Sequence, residues 1–390
     1  MGEHNNRVDE EKPKKLSKYL KAVIILNVLF ILLIVPGFFP AFCDWYTDNI
    51  YPVICDPISR VTAMVPVAIG EIIMYIGGVL VLAAVIISIL MIFLRKRKRF
   101  MRFSIGYLKV CSIIFLSVLI IYMPTWYIPF CGTVLGKENG EKRTEYSFEE
   151  IEGLLIYIVD GANQAAEEIE IAEDGSVSFR SVEENSKLAS QALADLSGEY
   201  GRLSGYYPPV KNAICSDILN RMNIGGYNYP FTMEPTRNRY IAPLYQPILD
   251  AHEMSHHQGY YKENEANFLS QIALSKSNDP YFRLAAYLDM FGYVYGDYLK
   301  ARDALDDEAV RKAAEDAEPK LSERVEKISE ASHEEARKAY ESEAHFIDSF
   351  PKLDEIIHDT ADKGWEVQGE ILEDNSYDGV VLLLLQYYYK

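Results

Sequence analysis

The sequence predicts a mainly α-helical protein in which three N-terminal transmembrane helices precede a mostly helical α+β domain with a small sheet or an extended edge. Long uncharged apolar runs occur only in the first third of the 390 residues, and their length suits membrane spans. Charge divides at the same place, because residues 1–136 carry 14 Lys/Arg and 8 Asp/Glu, whereas residues 137–390 carry 25 and 49. Helix-start signals recur through the second part. The net charge of −18 therefore describes neither half of the chain.

Three apolar segments have the length of membrane-spanning helices, at about residues 22–42, 72–94 and 107–130. The first two are uncharged throughout, and the last is interrupted near its end by Pro124 and Pro129. The first segment is too long for a signal peptide and lacks a small-residue cleavage pattern. We therefore expect a three-helix transmembrane anchor over residues 22–130.

Basic residues predict the orientation of this anchor. They cluster in the leader, residues 1–21, and in the segment RKRKRFMR at residues 95–102. The positive-inside rule places both clusters in the cytoplasm. After three spans, a linker over residues 131–145 and the domain over residues 146–390 would then be extracytoplasmic. We expect a multi-pass protein of the cell membrane whose partners include the lipid bilayer and exclude nucleic acid, since the acidic domain would repel phosphate.

Two features of the anchor have both a structural and a functional interpretation. Glu71 lies at the outer end of the second span, where we expect its carboxylate to reach interfacial water. Cys43 and Cys55 both lie in the predicted outer loop, where a disulfide is permitted. Their positions alone do not establish that they pair.

The domain has recognisable helix boundaries. Ser147 and Ser181 are each followed by Glu three residues later, which predicts a helix N-terminus at both positions. The pair Pro208-Pro209 suggests the start of a third helix, ended by Gly225-Gly226. Helical patterns resume at Pro247 and continue to about residue 346, with an exposed helical hairpin over residues 303–338.

Two segments of the domain differ from this helical pattern. Residues 227–239, YNYPFTMEPTRNR, combine aromatic residues and Thr with Pro, which predicts one or two short strands or an extended edge. Residues 377–389 are apolar but too short to span a membrane, so we expect a buried helix or strand.

The segment His252-Glu253-Met254-Ser255-His256 is the motif from which a function can be inferred. On a helix that begins near Pro247, His252 and His256 lie one turn apart on one face, so both imidazoles can bind one metal ion. Glu253 lies beside that ion, where a carboxylate can deprotonate a water molecule. Gly259 is suited to end the helix in the left-handed conformation.

A catalytic zinc site needs a third protein ligand and an open position. Lys262 stands where a metzincin would have its third His, so the candidates are Glu263 and Glu265. We favour Glu263, because Asn267 then lies one turn further on the same face and can hydrogen-bond a ligating imidazole. Glu265 remains the alternative ligand and is otherwise a surface or buried hydrogen-bonding group. Two imidazoles and one carboxylate favour a single Zn²⁺ ion over calcium or magnesium.

Other candidates have weaker support. His257 lies off the ligand face, and we expect it to pack in the domain or to support a ligand. A tyrosine could stabilise a developing oxyanion, and the candidates are Tyr227, Tyr229, Tyr260 and Tyr261. Most of the 28 tyrosines must be ordinary core or surface residues. The segment 227–232 could also pair with a peptide as an added strand.

The segment HEMSHHQGYYKENEANF, preceded by GGYNYPFT and followed by DPYFRLAAY, resembles the bacterial membrane proteins grouped as domain of unknown function 3810. The resemblance extends over essentially the whole chain, including PVAIGEIIMY before the second span and SYDGVVLLLL near the end. It implies a zincin-like domain of the gluzincin type. His252, His256 and Glu263 match the metal positions and Glu253 matches the base. The family's PFTGEAN-like stretch reads PFTMEPTRN here.

These observations predict a membrane-anchored extracytoplasmic zinc metallopeptidase. Glu253 would act as general base toward a zinc-activated water, and the substrate would be a peptide or protein in the cell envelope. One alternative is a non-catalytic zinc-binding envelope sensor or scaffold. Another is a zinc amidase that acts on cell-wall material.

Overall fold

The computed structural model describes residues 16–136, 146–352, 354–357 and 377–389. Residues 1–15 of the predicted leader and residues 137–145 of the predicted linker lie outside the described residues. Within the described part, the chain is mainly helical and contains a three-stranded sheet. The N-terminal part has six helices: α1 (Lys18–Ile34), α2 (Pro40–Asn49), α3 (Tyr51–Thr62), α4 (Ile69–Phe93), α5 (Lys98–Tyr122) and α6 (Ile128–Phe130).

Three of these segments are long and apolar enough to cross a membrane: Lys18–Phe38, Ile69–Phe93 and Lys98–Phe130, with mean hydropathy 2.5, 3.0 and 2.2. The three predicted apolar spans are thus confirmed as helices, but the first ends at Phe38 rather than near residue 42, because the backbone leaves the helical conformation at Phe39 and α2 begins at Pro40. Short irregular turns extend α1 and α5, as a 3₁₀ turn at Val35–Phe38 and a π turn at Met123–Tyr127. The third segment begins at Lys98 rather than near residue 107, because long basic side chains can extend toward water while their backbone remains helical.

The predicted outer loop between the first two spans consists of the helices α2 and α3. Tyr51, Cys55 and Ser59 recur at every fourth residue of α3 and are buried. Their opposite face exposes Val53 and Val61. Cys55 shares a small core with Cys43, Tyr46, Ile128, Met233 and Tyr261. Both cysteines are buried free thiols rather than a disulfide.

Nine helices of the domain are described with both of their ends, residues 351–352 and 354–357 are also helical, and the predicted caps are confirmed. Ser147 and Glu150 form a reciprocal capping box, and the Ser181 hydroxyl accepts from the Glu184 backbone N–H. The helices are α7 (Phe148–Glu168), α8 (Val182–Asp195), α9 (Ser216–Arg221), α10 (Gln246–His257), α11 (Glu263–Ser275), α12 (Pro280–Asp303), α13 (Glu308–Asp316), α14 (Glu323–Glu341) and α15 (Tyr377–Tyr388). Short 3₁₀ turns occur at Leu196–Gly198, Gly201–Ser204 and Phe346–Ser349.

The main hydrophobic core lies between α7, α12 and the helices that pack around them. Gly161 of α7 allows the close approach of Tyr287 of α12, since a Cβ there would lie 2.5 Å from the tyrosine ring. The apolar C-terminal segment is a buried helix, as predicted, and Val380 to Leu385 join this core. Burying each such side chain contributes about 1.5–3 kcal/mol.

The sheet consists of β1 (Lys211–Asn212), β2 (Gly226–Tyr229) and β3 (Glu234–Arg237) in the order β1-β3-β2. β1 is parallel to β3, whereas β2 is antiparallel to β3 and forms an edge of the described sheet. The predicted strands within residues 227–239 are therefore confirmed. The predicted helix start at Pro208-Pro209 is wrong, because a residue before proline favours extended backbone and the segment continues into β1. A shorter helix, α9, begins at Ser216 and ends before Gly225-Gly226.

Glu234 joins this sheet to the start of α4. Its carboxylate accepts from the backbone N–H groups of Ile69 at 3.1 Å and Gly70 at 2.7 Å. These groups have no partner inside their own helix, and a negative charge is favourable at a helix N-terminus. Lys211 of β1 forms an ion pair with Glu234 and also donates to the Thr62 and Val67 carbonyls.

Glu71 forms a second connection between α4 and the domain. Its side chain is buried and accepts from the backbone N–H groups of Ile214 at 2.5 Å and Cys215 at 2.9 Å. The expected contact with interfacial water is therefore wrong. The loop that covers Glu71 comes from residues far along the chain, which no local pattern could indicate.

The Lys211–Glu234 pair provides a test of this connection. Lys211→Met leaves a buried carboxylate without its cation, and we expect a loss of about 3–5 kcal/mol in the free energy of unfolding. The measurement is thermal or denaturant unfolding of the full-length protein in detergent micelles. Lys338→Met is the control, because its pair with Glu334 is exposed, at 70% and 48%, and should change stability by less than about 0.5 kcal/mol. Equal effects of both substitutions would contradict the role of the buried pair.

Candidate metal centre

Helix α10 presents the two histidines of the motif. Pro247 lies in its first turn, and Ala251 and Met254 face the core. The helix ends at His257, and Gly259 follows the C-cap residue Gln258 with a φ of +91°, which confirms the predicted left-handed conformation. A Cβ at Gly259 would also lie 2.6 Å from the Thr47 side chain of α2. Glycine is therefore required both by the backbone conformation and by the contact with the N-terminal part.

Helix α11 begins directly after this turn and brings Glu263 to the histidines. One oxygen of Glu263 lies 3.2 Å from His252 Nε2, and the other lies 3.6 Å from His256 Nε2. The three donor atoms all lie within 4.8 Å of one another. Four ligands around a tetrahedral zinc ion, at bonds of about 2.0–2.2 Å, lie about 3.3–3.6 Å apart. The two distances to Glu263 fall in or near this range, and the two imidazoles and one carboxylate fit a metal ion such as zinc in donor type.

The other candidate carboxylate faces away from this triad. Glu265 is buried and accepts from the Leu135 backbone N–H at 2.9 Å, next to the end of the N-terminal helices. Four residues after Glu263 on α11, Asn267 donates to the Tyr293 hydroxyl at 2.9 Å. Asn267 also lies close enough to His252 to raise the pKa of that imidazole. The geometry therefore favours Glu263 as the third ligand and Glu265 as a buried structural acceptor.

Interactions within the triad shift the pKa values of His252 and Glu263. Burial acts to lower the pKa of His252, but the hydrogen bond and negative charge of Glu263 raise this pKa to about 9. Burial acts to raise the pKa of Glu263, but the two histidines hold it far below its usual range. His256 Nδ1 lies 2.8 Å from the Tyr260 carbonyl, an arrangement that leaves Nε2 directed at the triad. About half of the Glu263 side chain (53%) is exposed, so one side of the triad is open.

Glu253 lies beside the triad in a different environment. It is 3% exposed, and its Oε2 has no hydrogen-bond partner among the residues that the structure describes. Burial raises the pKa of Glu253, the nearby histidines lower it, and the balance lies at about 7. An orphaned buried carboxylate oxygen is costly for stability. Because the Glu253 carboxylate lies next to residues that could bind a metal ion, it is well placed to exchange protons with a reactant.

The sheet lies against this carboxylate. A Cβ at Gly226, the first residue of β2, would lie 2.9 Å from Glu253 Oε1. Arg237 of β3 holds the sheet against α10, because it forms a buried ion pair with Asp250 of that helix at 2.7 Å. The first residue of the edge strand β2 therefore lies next to the Glu253 carboxylate.

The remaining predicted residues have other surroundings. His257 is buried, which lowers its pKa to about 4, and its carbonyl accepts from the Tyr51 hydroxyl at 3.1 Å. The Tyr229 ring packs against Phe231 and Gly70. Tyr261 is buried and donates to the Thr125 carbonyl at 2.7 Å. These contacts give His257, Tyr229 and Tyr261 packing roles at the boundary with the N-terminal helices.

Sequence reasoning missed two sets of polar residues near the site. Asp289 of α12 accepts from the Gln271 side chain at 2.8 Å. Burial raises the pKa of Asp289, and the hydrogen bond from Gln271 and the charge of nearby His252 act against this rise. A signal existed, since Asp289 is the single charged residue between Arg283 and Asp297. Asn228 of β2 has both amide atoms buried without partners among the described residues. Asn228 lies in the segment 227–232 that could pair with a peptide, but no sequence pattern singled out its side chain.

Comparison with known proteins gives a family without a function. A family model described as protein of unknown function (DUF3810) matches residues 46–385. No curated protein and no solved structure matches the chain.

The two acidic residues of α11 provide a matched test of the metal centre. Loss of a residue that hydrogen-bonds a metal ligand lowers metal affinity by roughly 10–100-fold. Glu263→Gln alters a ligand itself, so we expect it to lower zinc affinity by more than that. Glu265→Gln should retain one zinc ion per chain, because its carboxylate faces Leu135 instead of the triad. The measurement is the zinc content of the purified full-length protein after equilibration with a graded chelator. Zinc loss in Glu265→Gln alone would reverse the assignment.

Proposed function

Because the chain belongs to the family described as protein of unknown function (DUF3810), we propose its function from the site itself. The protein is a membrane-anchored zinc metallopeptidase with a zincin-like domain, and it hydrolyses peptide bonds on the extracytoplasmic side. The observation that carries this proposal is Glu253, a buried carboxylate with an orphaned oxygen beside an open triad of His252, His256 and Glu263.

The triad would hold one zinc ion through two imidazole nitrogens and one carboxylate, a donor set typical of catalytic zinc. When bound, zinc supplies a Lewis acid that polarises a carbonyl and makes water more acidic. The protein contributes the orientation of its ligands. The Tyr260 carbonyl orients His256, and Asn267 supports His252. Such supporting contacts keep imidazoles in the tautomer that a metal requires.

Glu253 would perform the proton transfers. As a carboxylate it accepts a proton from the attacking water, and as a carboxylic acid it donates that proton to the leaving nitrogen. A group that acts in both directions is most effective when its pKa lies near the working pH. Burial raises the pKa of Glu253 and the two histidines lower it, which gives a value of about 7.

The edge strand β2 supports a polypeptide as the substrate. An extended peptide can add to an exposed sheet edge through main-chain hydrogen bonds. Side chains alternate along a strand, so Asn228 lies on the same face as Gly226, which contacts Glu253. The unpartnered Asn228 amide could therefore donate to and accept from a substrate backbone beside the triad. The charge pattern of the N-terminal part supports an extracytoplasmic domain and hence a cell-envelope substrate.

The role of Glu253 is tested by Glu253→Gln in the full-length, zinc-loaded protein. We expect cleavage of a peptide library to fall by about 10²–10⁴-fold while zinc content is unchanged, because the amide cannot accept the proton. Mass spectrometry of the products and metal analysis give both readouts. The control is Glu334→Gln, which alters an exposed Glu that also follows a His. Undiminished cleavage in Glu253→Gln would disprove the base. Zinc binding without any cleavage in the unaltered protein would favour a sensor or scaffold.

The position of β2 is tested by Gly226→Ala. The new methyl group would lie 2.6 Å from the Thr236 carbonyl and 2.9 Å from Glu253 Oε1, so the strand must move away from the site. We expect kcat/KM for peptide cleavage to fall by roughly tenfold to hundredfold with zinc retained, since small displacements of reacting groups are costly. Gly198→Ala is the control, because a Cβ there meets nothing within 4 Å. A fully active Gly226→Ala protein would show that β2 does not border the reaction.

A further inference from the structure

We propose that the substrate is a polypeptide anchored in the same membrane, and that the scissile bond lies only a few residues from the bilayer surface. This inference rests on the proposed peptidase function and names the substrate class for that site. Four groups of contacts support it, and all of them connect the metal triad to the ends of the apolar helices.

The edge strand connects the site to the start of α4. At one end of β2, Gly226 contacts Glu253, and at the other end the Tyr229 ring packs against Gly70. Gly70 lies in the first turn of α4, whose N–H groups are held by Glu234. Three residue steps along a strand span about 10 Å. A substrate paired with β2 would therefore reach from Glu253 to the end of an apolar helix over a very short distance.

A row of aromatic rings continues from this strand to the end of α5. Ring centroids are 6.4 Å apart for Tyr227 and Tyr229, 5.6 Å for Tyr229 and Phe231, and 6.2 Å for Phe231 and Tyr122. Tyr122 stacks in turn on Trp126 at 5.0 Å. Tyrosine and tryptophan are enriched where a membrane protein meets the bilayer surface. The row therefore follows β2 from the site to that surface.

The turn between the metal ligands rests on the same helix end. The Tyr261 ring lies nearly parallel to His256, with centroids 6.1 Å apart, and its hydroxyl donates to the Thr125 carbonyl. Lys262, the residue before Glu263, donates to the Gly132 carbonyl at 2.7 Å. Thr125 and Gly132 both lie at or just after the end of the Lys98–Phe130 segment. The ligand-bearing turn is therefore held at the same membrane boundary as β2.

Helices α2 and α3 hold the domain close to the bilayer. One face of these helices, with Thr47 and Tyr51, contacts Gly259 and His257. The opposite side exposes the apolar residues Trp45, Val53 and Val61, and the flanking residues Phe39 and Met64 are exposed as well. Helices with one apolar exposed face lie in the membrane interface. With that face on the bilayer, α2 and α3 would lie between the membrane and the ligand-bearing turn, and they would keep the site close to the surface.

This placement distinguishes substrates by the distance of their scissile bond from the membrane. The residues just outside a membrane anchor are confined to the layer in which β2 lies. A bond far along a flexible chain is diluted, and its effective concentration falls roughly as the −3/2 power of the spacer length. An anchored polypeptide is therefore cut best close to its anchor.

The test uses the full-length, zinc-loaded protein reconstituted into phospholipid vesicles. A peptide that the detergent-solubilised protein cleaves is joined to a single apolar helix through Gly/Ser spacers of about 6, 15 and 40 residues. All three anchored substrates are equally enriched on the vesicles, so differences between them report geometry. The anchor is placed at the N-terminus in one series and at the C-terminus in another. The free peptide and Glu253→Gln serve as controls.

We expect the shortest spacer to be cut fastest in at least one series, with a roughly tenfold lower rate for the longest spacer. Equal or faster cleavage with the longest spacer in both series would overturn the inference, as would cleavage of the free peptide at the rate of the anchored ones. In those cases Glu253-dependent cleavage would still leave the peptidase function intact. If nothing is cut, or if cleavage persists in Glu253→Gln, the peptidase function fails and this inference fails with it.

Discussion

The backbone N–H groups at the start of α4 have no hydrogen-bond acceptor within their helix. The position of the sheet relative to the apolar helices depends on the side chain that accepts hydrogen bonds from these groups. Glu234 accepts from two of them, and Lys211 balances its buried charge. Since Glu234 is the first residue of β3, this interaction fixes the sheet on the end of an apolar helix. At the other end of the same strand, Arg237 forms a buried ion pair with Asp250 of α10, the helix that carries His252 and His256. One strand of four residues thus connects the anchor to the site.

The site combines groups that would repel each other without a shared positive charge. Glu253 and Glu263 are carboxylates near one another. Burial acts to raise the pKa of each, and the two histidines lower the pKa of both. Glu263 is partly exposed and held ionised, whereas Glu253 is buried and has a raised pKa. Two carboxylates in such different environments can take different roles, one as a ligand and one as a base. The same reasoning makes Glu265, with its backbone partner, a structural residue.

Much of the fold follows from local patterns in the chain. The apolar spans, the caps at Ser147 and Ser181, and the left-handed Gly259 depend on neighbouring residues, so periodicity and residue type were sufficient to predict them. Predictions failed where a partner is distant along the chain. Glu71 was expected at the water interface, but residues 214 and 215 cover it. The pair Pro208-Pro209 was read as a helix start, but pairing with β3 made the following residues a strand.

By itself, the sequence determined which residues can bind a metal, because His252 and His256 share a helix face through their spacing alone. It also determined the composition of the anchor and the presence of two carboxylates on the next helix. Only the tertiary structure distinguished Glu263 from Glu265, since that choice depends on the turn at Gly259 and on the contact with Leu135. Only the tertiary structure placed the site beside the apolar helices, although more than a hundred residues separate His252 from α5. Residues far apart in the sequence can lie close together in space, because the side chains of Tyr261 and Glu234 form hydrogen bonds with residues more than a hundred positions away.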